Sequence, residues 1–520
     1  FSPELIHPYA VAFADLISVP LDDLLALGRK DPGNRNEPFN MAFLALRGSG
    51  IVNGVSVLHG AVSRGIFQPL FSNWPPSEVP IGHVTNGVHV PTWDSQEADD
   101  LWTRACGKSR WLGDVDELRS SIECLSNEDL WSFRTAQRHR LIRYARRRLV
   151  RQMQERGAAA DHIREATHVL DPNSLTLGFA RRFAEYKRPN LLLLDPDRLA
   201  KLLCRQDRPV QLIVAGKAHP DDEDGKRLVH AMTQFAARSD VWDRVVFLED
   251  YDMTLAQHLV AGIDVWLNTP RRPWEACGTS GMKVLVNGGL NCSELDGWWA
   301  EAYAPDIGWA IGDGREHPEP AFNAVEAASL YETLEQHIIP EYYDRDHAGL
   351  SHAWLTRIRT SMSRLTPQFS SNRMVREYVE KLYGPTLETV RRRLDNSGKL
   401  AVELEAWHAR VREGWKGLRF GDVQVTRLDP HWHFEVEVYF GDCDQDHVHV
   451  ELYADPVNEH EQPTRIVMRR QEAIPGALKG YLFIAECPST RPANHFTPRV
   501  VPFHPEASVP QEESLILWKQ

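Results

Sequence analysis

The sequence predicts an α/β protein in three parts: a mainly helical segment over 1–165, a doubly wound domain over 166–392, and a small antiparallel β-domain over 393–520. Two observations predict the last two parts. After residue 166, short Val/Ile/Leu-rich runs alternate with helical stretches, the pattern of buried parallel strands in βα units. After residue 393 the runs alternate apolar and polar residues with period 2 and are separated by Pro and Gly turns, the pattern of strands with one buried face.

The totals agree with such a protein. With 520 residues there is room for two to four domains, and 42% hydrophobic with 25% charged residues is ordinary for a globular chain. A net charge of −13 argues against a nucleic-acid binder. No run of about 18 apolar residues predicts a membrane span. The start, FSPELIHPYAVAFADL, has no basic region leading into an apolar core, so no signal peptide is read there. Seven scattered cysteines without a C-x-x-C pair suit a reducing, cytoplasmic setting and argue against a zinc site, and no metal is expected.

In the first part, Leu130, Phe133, Leu141, Tyr144 and Leu149 fall near one face of a predicted helix, with Ser126 as its N-cap and Asp129 three positions on. Nine arginines lie between Arg134 and Arg156; a polyanion site is one reading of them and the solvated face of a long helix the favoured one. VPIGHVTNGVHV reads as a strand entering a loop, and its histidines as structural hydrogen-bonding residues.

In the second part, SLTLGFA, PVQLIVAG, DRVVFLED and IDVWLNT are the predicted strands. Ligands of such sheets sit beyond the strand C-termini. FARRFAEYKR, GKAHPDD and EACGTSGMK each follow a predicted strand at such a place. In the third part the strands are HFEVEVYFG, HVHVELYAD and GYLFIAE; His447 and His449 are read as solvated residues on one strand face.

Two of these loops can do chemistry. If a helix starts within GFARRFAEYKRP, Arg182 and Lys187 lie near each other and offer a fork and a point charge to a phosphate; a surface charge run is the competing reading. In EACGTSGMK, residues 278–281 predict a tight turn whose amides face an anion, with a helix opening at Met282. Lys283 either binds a phosphate, carries one covalently, or stands exposed on a helix that follows a plain Gly-rich turn.

In order and spacing these pieces resemble the α-glucan (glycogen, starch, maltodextrin) phosphorylases, most closely the bacterial branch. The resemblance rests on NMAFLALRGSGIVNGVSVLHG, HVTNGVHVPTW, GFARRFAEYKRPNLLL, VAGKAHPDD, EDYDMTLAQHLVAGIDVWLNTPRRPWEACGTSGMKVLVNGGLN and LDGWW, from residue 40 to about 300. It implies a GT-B-type glycosyltransferase fold with a complete C-terminal Rossmann-like domain, 166–392, a partial N-terminal one, 1–165, and a β-sandwich-like domain, 393–520. Glycosyltransferases of this fold often carry two glutamates eight residues apart; phosphorylases keep the first, here Glu275, and replace the second by a lysine, here Lys283.

By the same resemblance Lys283 holds pyridoxal 5'-phosphate as a Schiff base. Arg181, Thr279 and Ser280 face the cofactor phosphate, and Tyr251 lines the cofactor pocket. Arg182 and Lys187 hold inorganic phosphate. Glu275 and the backbone of Ala276, Cys277 and Gly278 bind the glucosyl hydroxyls. The implied reaction is phosphorolysis of a terminal α-1,4 bond of glycogen or maltodextrin to α-glucose 1-phosphate with retention. The implied partners are an α-1,4-glucan, inorganic phosphate and a second copy of the chain, with no nucleic acid and no membrane.

The sequence also departs from the family pattern. Gly50 stands where a sugar-contacting histidine is usual, and Cys277 where a serine is usual. Residues 1–165 lack the N-terminal Gly-rich cofactor loop, so the chain is expected to be the C-terminal part of a longer polypeptide or to pair with a separate N-terminal segment. Two other functions stay open here: a sugar-nucleotide glycosyltransferase, against which Lys283 argues, and a non-catalytic glucan-binding or partner subunit.

Overall fold

The computed structural model describes residues 1–112, 115, 117–317, 321–457 and 461–520. They form two compact units, each assembled from separated stretches: 54–60 with 83–378, and 1–53 and 61–82 with 379–520. This division differs from the expected boundaries at 165 and 392. Composition reports how buried a stretch is, not which distant stretch buries it.

Two short strands come first, β1 (Val52–Gly54) and β2 (Ile81–His83); after β2 the chain runs through a loop into the short helix Val90–Trp93. The larger unit is built on a six-stranded sheet: β3 (Leu175–Ala180), β4 (Val210–Ala215), β5 (Val245–Leu248), β6 (Val265–Asn268), β7 (Leu290–Glu294) and β8 (Trp309–Ile311). All pairs are parallel and the spatial order is β5-β4-β3-β6-β7-β8. The four strands expected from the sequence are joined by two more, β7 and β8. Chain order reverses between β3 and β6, which makes the crevice at their carboxyl ends the topological switch point where ligands of open α/β sheets bind.

Period 2 decides what each face of this sheet buries. Leu175, Leu177, Phe179, Leu212 and Val214 enter one core cluster, while Ala180, Ile213, Ala215, Val246 and Trp266 enter another. Both faces are covered, which is why the strands read as continuous apolar runs.

The helix Asn127–Glu155 starts as expected: Ser126 Oγ accepts the Asp129 N–H at 3.0 Å. Its arginines are not one solvated face. Arg134 and Arg138 are buried, because Asp264, just before β6, gives them a counter-charge: Arg138 Nη1 lies 2.9 Å and Arg134 Nη2 3.3 Å from Asp264 Oδ1. Arg134 Nη1 also donates to the carbonyls of Ala261 and Asn287 at 2.7 Å. Arg143, Arg147, Arg151 and Arg156 remain exposed.

The other unit opens its 379–520 stretch with helix, not strand. Residues Gly384–Gly414 are helical with a break at 395–398, where Asn396, Ser397 and Gly398 take left-handed conformations. The strands follow: β9 (Arg419–Leu428), β10 (His431–Tyr439), β11 (Val448–Ala454), β12 (Thr464–Val467), β13 (Arg469–Ala473), β14 (Gly480–Pro488), β15 (Thr497–Pro502) and β16 (Leu517–Trp518). They make two four-stranded sheets, β13-β14-β10-β9 and β12-β11-β15-β16. Phe434, Val436 and Phe483 of the first and Val450, Leu452 and Val500 of the second share one buried cluster.

Early residues complete this unit. Arg499 donates to Glu78 Oε1 at 3.0 Å and to Glu451 Oε2 at 2.8 Å, and Trp74 Nε1 donates to Ser514 O at 2.7 Å. His447 lies in a 3-10 turn before β11, not on the strand, and the half-buried His449 stacks on Phe503 at 3.7 Å, so neither is simply a solvated strand residue.

Candidate active site

At the switch point the chain leaves β3 at Ala180 and enters a loop of alternating burial. Arg181 is buried, Arg182 is exposed, and Lys187 is buried at the end of the 3-10 turn Glu185–Lys187. No α-helix starts between Arg182 and Lys187. Instead Arg188, in a left-handed conformation (φ 43°), turns the chain and anchors it: its guanidinium donates to Thr269 O at 3.0 Å and Pro270 O at 2.7 Å. Thr269 Oγ1 donates back to the Lys187 carbonyl at 3.1 Å. The loops after β3 and β6 are thus tied together.

Glu275, on the β6 loop, is where the cations converge. Lys187 Nζ donates to Glu275 Oε2 at 2.9 Å, and Arg181 Nη2 donates to the same oxygen. Arg181 Nη1 donates to Asn268 Oδ1, while its buried Nε has no hydrogen-bond partner among the described residues. Burial pushes the Glu275 carboxyl up, but Arg181 and Lys187 outweigh it and hold the group below its ordinary value. Two cations thus share one carboxylate at the strand ends.

The 275–278 turn is held by its neighbours. The Glu275 N–H donates to Asp296 Oδ2 at 2.9 Å, Ser56 Oγ donates to Ala276 O at 2.7 Å, and the Trp298 N–H donates to Cys277 O at 2.9 Å. Cys277 is buried, which raises its thiol to about 12 and keeps it neutral at ordinary pH. Gly278 adopts φ 86°, a conformation a side chain resists, and caps a helix that opens at Thr279, three residues earlier than expected, and runs to Leu285. That start leaves its first amides without intrahelical partners, and the half-buried Thr279 and Ser280 hydroxyls have none among the described residues.

On this helix, Lys283 is half-buried rather than exposed. Its ammonium lies 3.8 Å from the centre of the Trp93 ring, with no hydrogen-bond or ion-pair partner among the described residues, and burial lowers its pKa. A lysine amine with a lowered pKa is suited to carbonyl chemistry. Tyr251, on the β5 loop, is half-buried; burial raises its phenol and the nearby charge of Arg181 opposes the rise.

Of the residues singled out from the sequence, Arg181, Lys187 and Glu275 meet in one cluster. Arg182 is exposed, and among the described residues no hydrogen bond or ion pair ties it to that cluster. Gly50 is exposed, with open space where a side chain would project. Reading the sequence missed Ser56, Trp93, Asn268 and Asp296. Of these only Asn268 and Asp296 carried a signal, as polar residues at or just beyond the carboxyl end of an apolar strand. Among the described residues no group of three His, Cys, Asp or Glu could hold a metal, and no helix is long and apolar enough to cross a membrane.

Residues 32–304 match the family model described as "Carbohydrate phosphorylase". A glycogen phosphorylase of Mycobacterium tuberculosis is 43% identical over 420 residues, 79% of this chain and 47% of the relative. A maltodextrin phosphorylase of Thermococcus litoralis is 34% identical over 513 residues, 97% of this chain and 59% of the relative. A glycogen phosphorylase of Aquifex aeolicus is 39% identical over 375 residues, 72% and 53% respectively. The chain therefore spans about half the length of these relatives. The matched stretch includes both loops that meet at Glu275, together with the helix that bears Lys283, and the chain belongs to the carbohydrate phosphorylase family.

Proposed function

We propose that this chain supplies the cofactor- and phosphate-binding side of an α-glucan phosphorylase, which transfers the terminal α-1,4-linked glucose of glycogen or maltodextrin to inorganic phosphate with retention. The observation that carries this reading is the pairing of Lys187 and Arg181 on Glu275 at the switch point, eight residues before a half-buried, unpartnered Lys283. The second sugar-side glutamate of a sugar-nucleotide transferase is absent there. The remaining length of the relatives supplies the rest of the cleft, on the same polypeptide or a separate chain.

The residues present fit pyridoxal 5'-phosphate. Lys283 has the lowered pKa that attachment to an aldehyde needs, and the buried, unpartnered Nε of Arg181 is a donor in want of an anion. Lys283 would hold the cofactor, with Arg181, Thr279 and Ser280 at its phosphate and Tyr251 along the pocket. When bound, the cofactor supplies a phosphate group that works beside the substrate phosphate in proton transfer to the glycosidic oxygen.

The chain's own residues do the electrostatic work. Lys187, fixed by the Thr269 and Arg188 bonds, and Arg182, exposed with no competing partner, bind inorganic phosphate. Glu275 keeps its charge because Arg181 and Lys187 hold it ionised, so it accepts hydrogen bonds from glucosyl hydroxyls. As the glycosidic bond breaks, positive charge on the sugar develops next to phosphate that these cations keep in place. A preorganised, partly buried cationic site stabilises that separation better than water does.

The test is an absorbance spectrum of the purified protein before and after borohydride, with peptide mapping, then an assay for phosphate-dependent release of glucose 1-phosphate from maltodextrin. An adduct on Lys283 together with product supports the function. Absence of both, with the N-terminal portion of the enzyme present, sinks it.

A further inference from the structure

Asp296 lies two residues past β7 in the segment LDGWW and is 1% exposed. Both its carboxylate oxygens accept backbone amides: Oδ2 that of Glu275 at 2.9 Å and Oδ1 that of Gly297 at 2.8 Å. The clasp continues one residue on, where the Trp298 N–H donates to Cys277 O at 2.9 Å. Gly297, at φ 53°, lets the two backbones approach so closely that a Cβ there would sit 2.3 Å from Cys277 O. Residues 296–298 therefore set both position and tilt of the 275–277 turn.

We propose that Asp296 is a positioning residue for this site: its two carboxylate oxygens fix the turn that presents Glu275 and the Ala276–Gly278 backbone, and sugar binding requires Asp296 to be ionised. The inference rests on the proposed role of 275–278 in holding the glucosyl unit. A carboxylate accepts strongly on both oxygens, whereas protonation makes one of them a hydroxyl, a weaker acceptor with a proton of its own to place. Protonation thus weakens one of the two bonds.

The surroundings place that protonation in a working range. Among the described residues no cation pairs directly with Asp296. Burial pushes its carboxyl up, the two amide bonds pull it down, Glu275 on the facing loop pushes it up and Arg272 pulls it down, leaving it at about 7. Glu294, two residues back on β7, is itself pushed up by burial and by Glu326.

Glucose is the probe of choice, because it has no group that titrates between pH 6 and 8. Its binding to the protein is measured by calorimetry across that range, for the wild type and Asp296→Asn, with deuterium uptake of residues 275–278 corrected for intrinsic exchange. The wild type is expected to lose about tenfold in affinity between pH 8 and pH 6. Asp296→Asn is expected to bind about tenfold more weakly than the wild type at pH 8, without pH dependence, and to take up deuterium faster at 275–278 and at Gly297 only. A wild type whose glucose binding is flat with pH, or a variant that tracks the wild type, overturns the proposal. A wild type that binds no glucose at any pH overturns the sugar-site reading instead, and the uptake at 275–278 in the wild type at pH 6 against pH 8 then decides the role of Asp296. The same wild-type comparison decides it if the variant does not fold.

Discussion

Lys187 Nζ lies 2.9 Å from Glu275 Oε2, and Arg181 donates to that same oxygen, so two buried cations share one buried carboxylate. Glu275→Gln removes the charge while keeping the shape. Leaving buried charges uncompensated costs about 3–5 kcal/mol. The variant is therefore expected to melt well below the wild type, and inorganic phosphate, which restores negative charge beside Lys187, is expected to raise its melting temperature more than the wild type's. Melting curves at several phosphate concentrations check both expectations.

Lys283→Arg keeps a cation over Trp93 but has no amine to attach a carbonyl cofactor. The variant is expected to fold with a near-normal melting temperature, to show no cofactor absorbance, and to lose activity by about a thousandfold or more, on the scale of losing a proton-transfer group. The spectrum and the glucose 1-phosphate assay test this together. Lys187→Ala, in contrast, is expected to keep the absorbance and raise the KM for phosphate about ten- to a hundredfold, the worth of one charge-assisted hydrogen bond.

Asp264 is 2% exposed, accepts from both Arg134 and Arg138, and takes the Thr176 N–H at 3.0 Å. Asp264→Asn strands two buried guanidinium groups. Chemical denaturation is expected to show a loss of about 3–5 kcal/mol in the unit that holds the parallel sheet.

Glu294 and Glu326 both approach the buried Arg188, one cation for two carboxyls. Burial first, and Glu326 next, push Glu294 up to about 9. The folded state therefore keeps a proton that the unfolded chain releases above its ordinary carboxyl value. The stability this contributes is full below about pH 4.5 and is lost as pH rises toward 9. Glu294→Gln is neutral at every pH, so its melting temperature is expected to fall less than the wild type's between pH 6 and 9, with a gap of a few degrees at pH 9. A pH series of melting curves checks it.

The strands of the switch-point sheet were legible because both faces of each are buried, so that runs such as LIV and VVF carry no polar break. The cap at Ser126 was legible because it needs only residues three apart. Arg134 and Arg138 were not, since their burial depends on Asp264, more than a hundred residues away, and nothing local distinguishes them from the exposed Arg143 and Arg147. Asp296 was passed over for a similar reason: its partner is a backbone amide of Glu275, and an amide has no signature in sequence. The start of the helix at Thr279 was misjudged because a glycine at φ 86° caps it, where a polar cap residue is the usual signal.

By itself the sequence determined four of the strands of the parallel sheet, three of the antiparallel strands near the end of the chain, and the spacing of Glu275 and Lys283, because periodicity and spacing are local properties. Only the tertiary structure decided that Lys187 and Arg181 close on Glu275 while Arg182 stays exposed. It also decided that Lys283 lies over Trp93, and that residues 1–53 and 61–82 join the C-terminal β-sheets in one unit. Burial and pairing are set by which surfaces meet, and the free energy of a charge depends on what surrounds it in space, not on its neighbours in the chain.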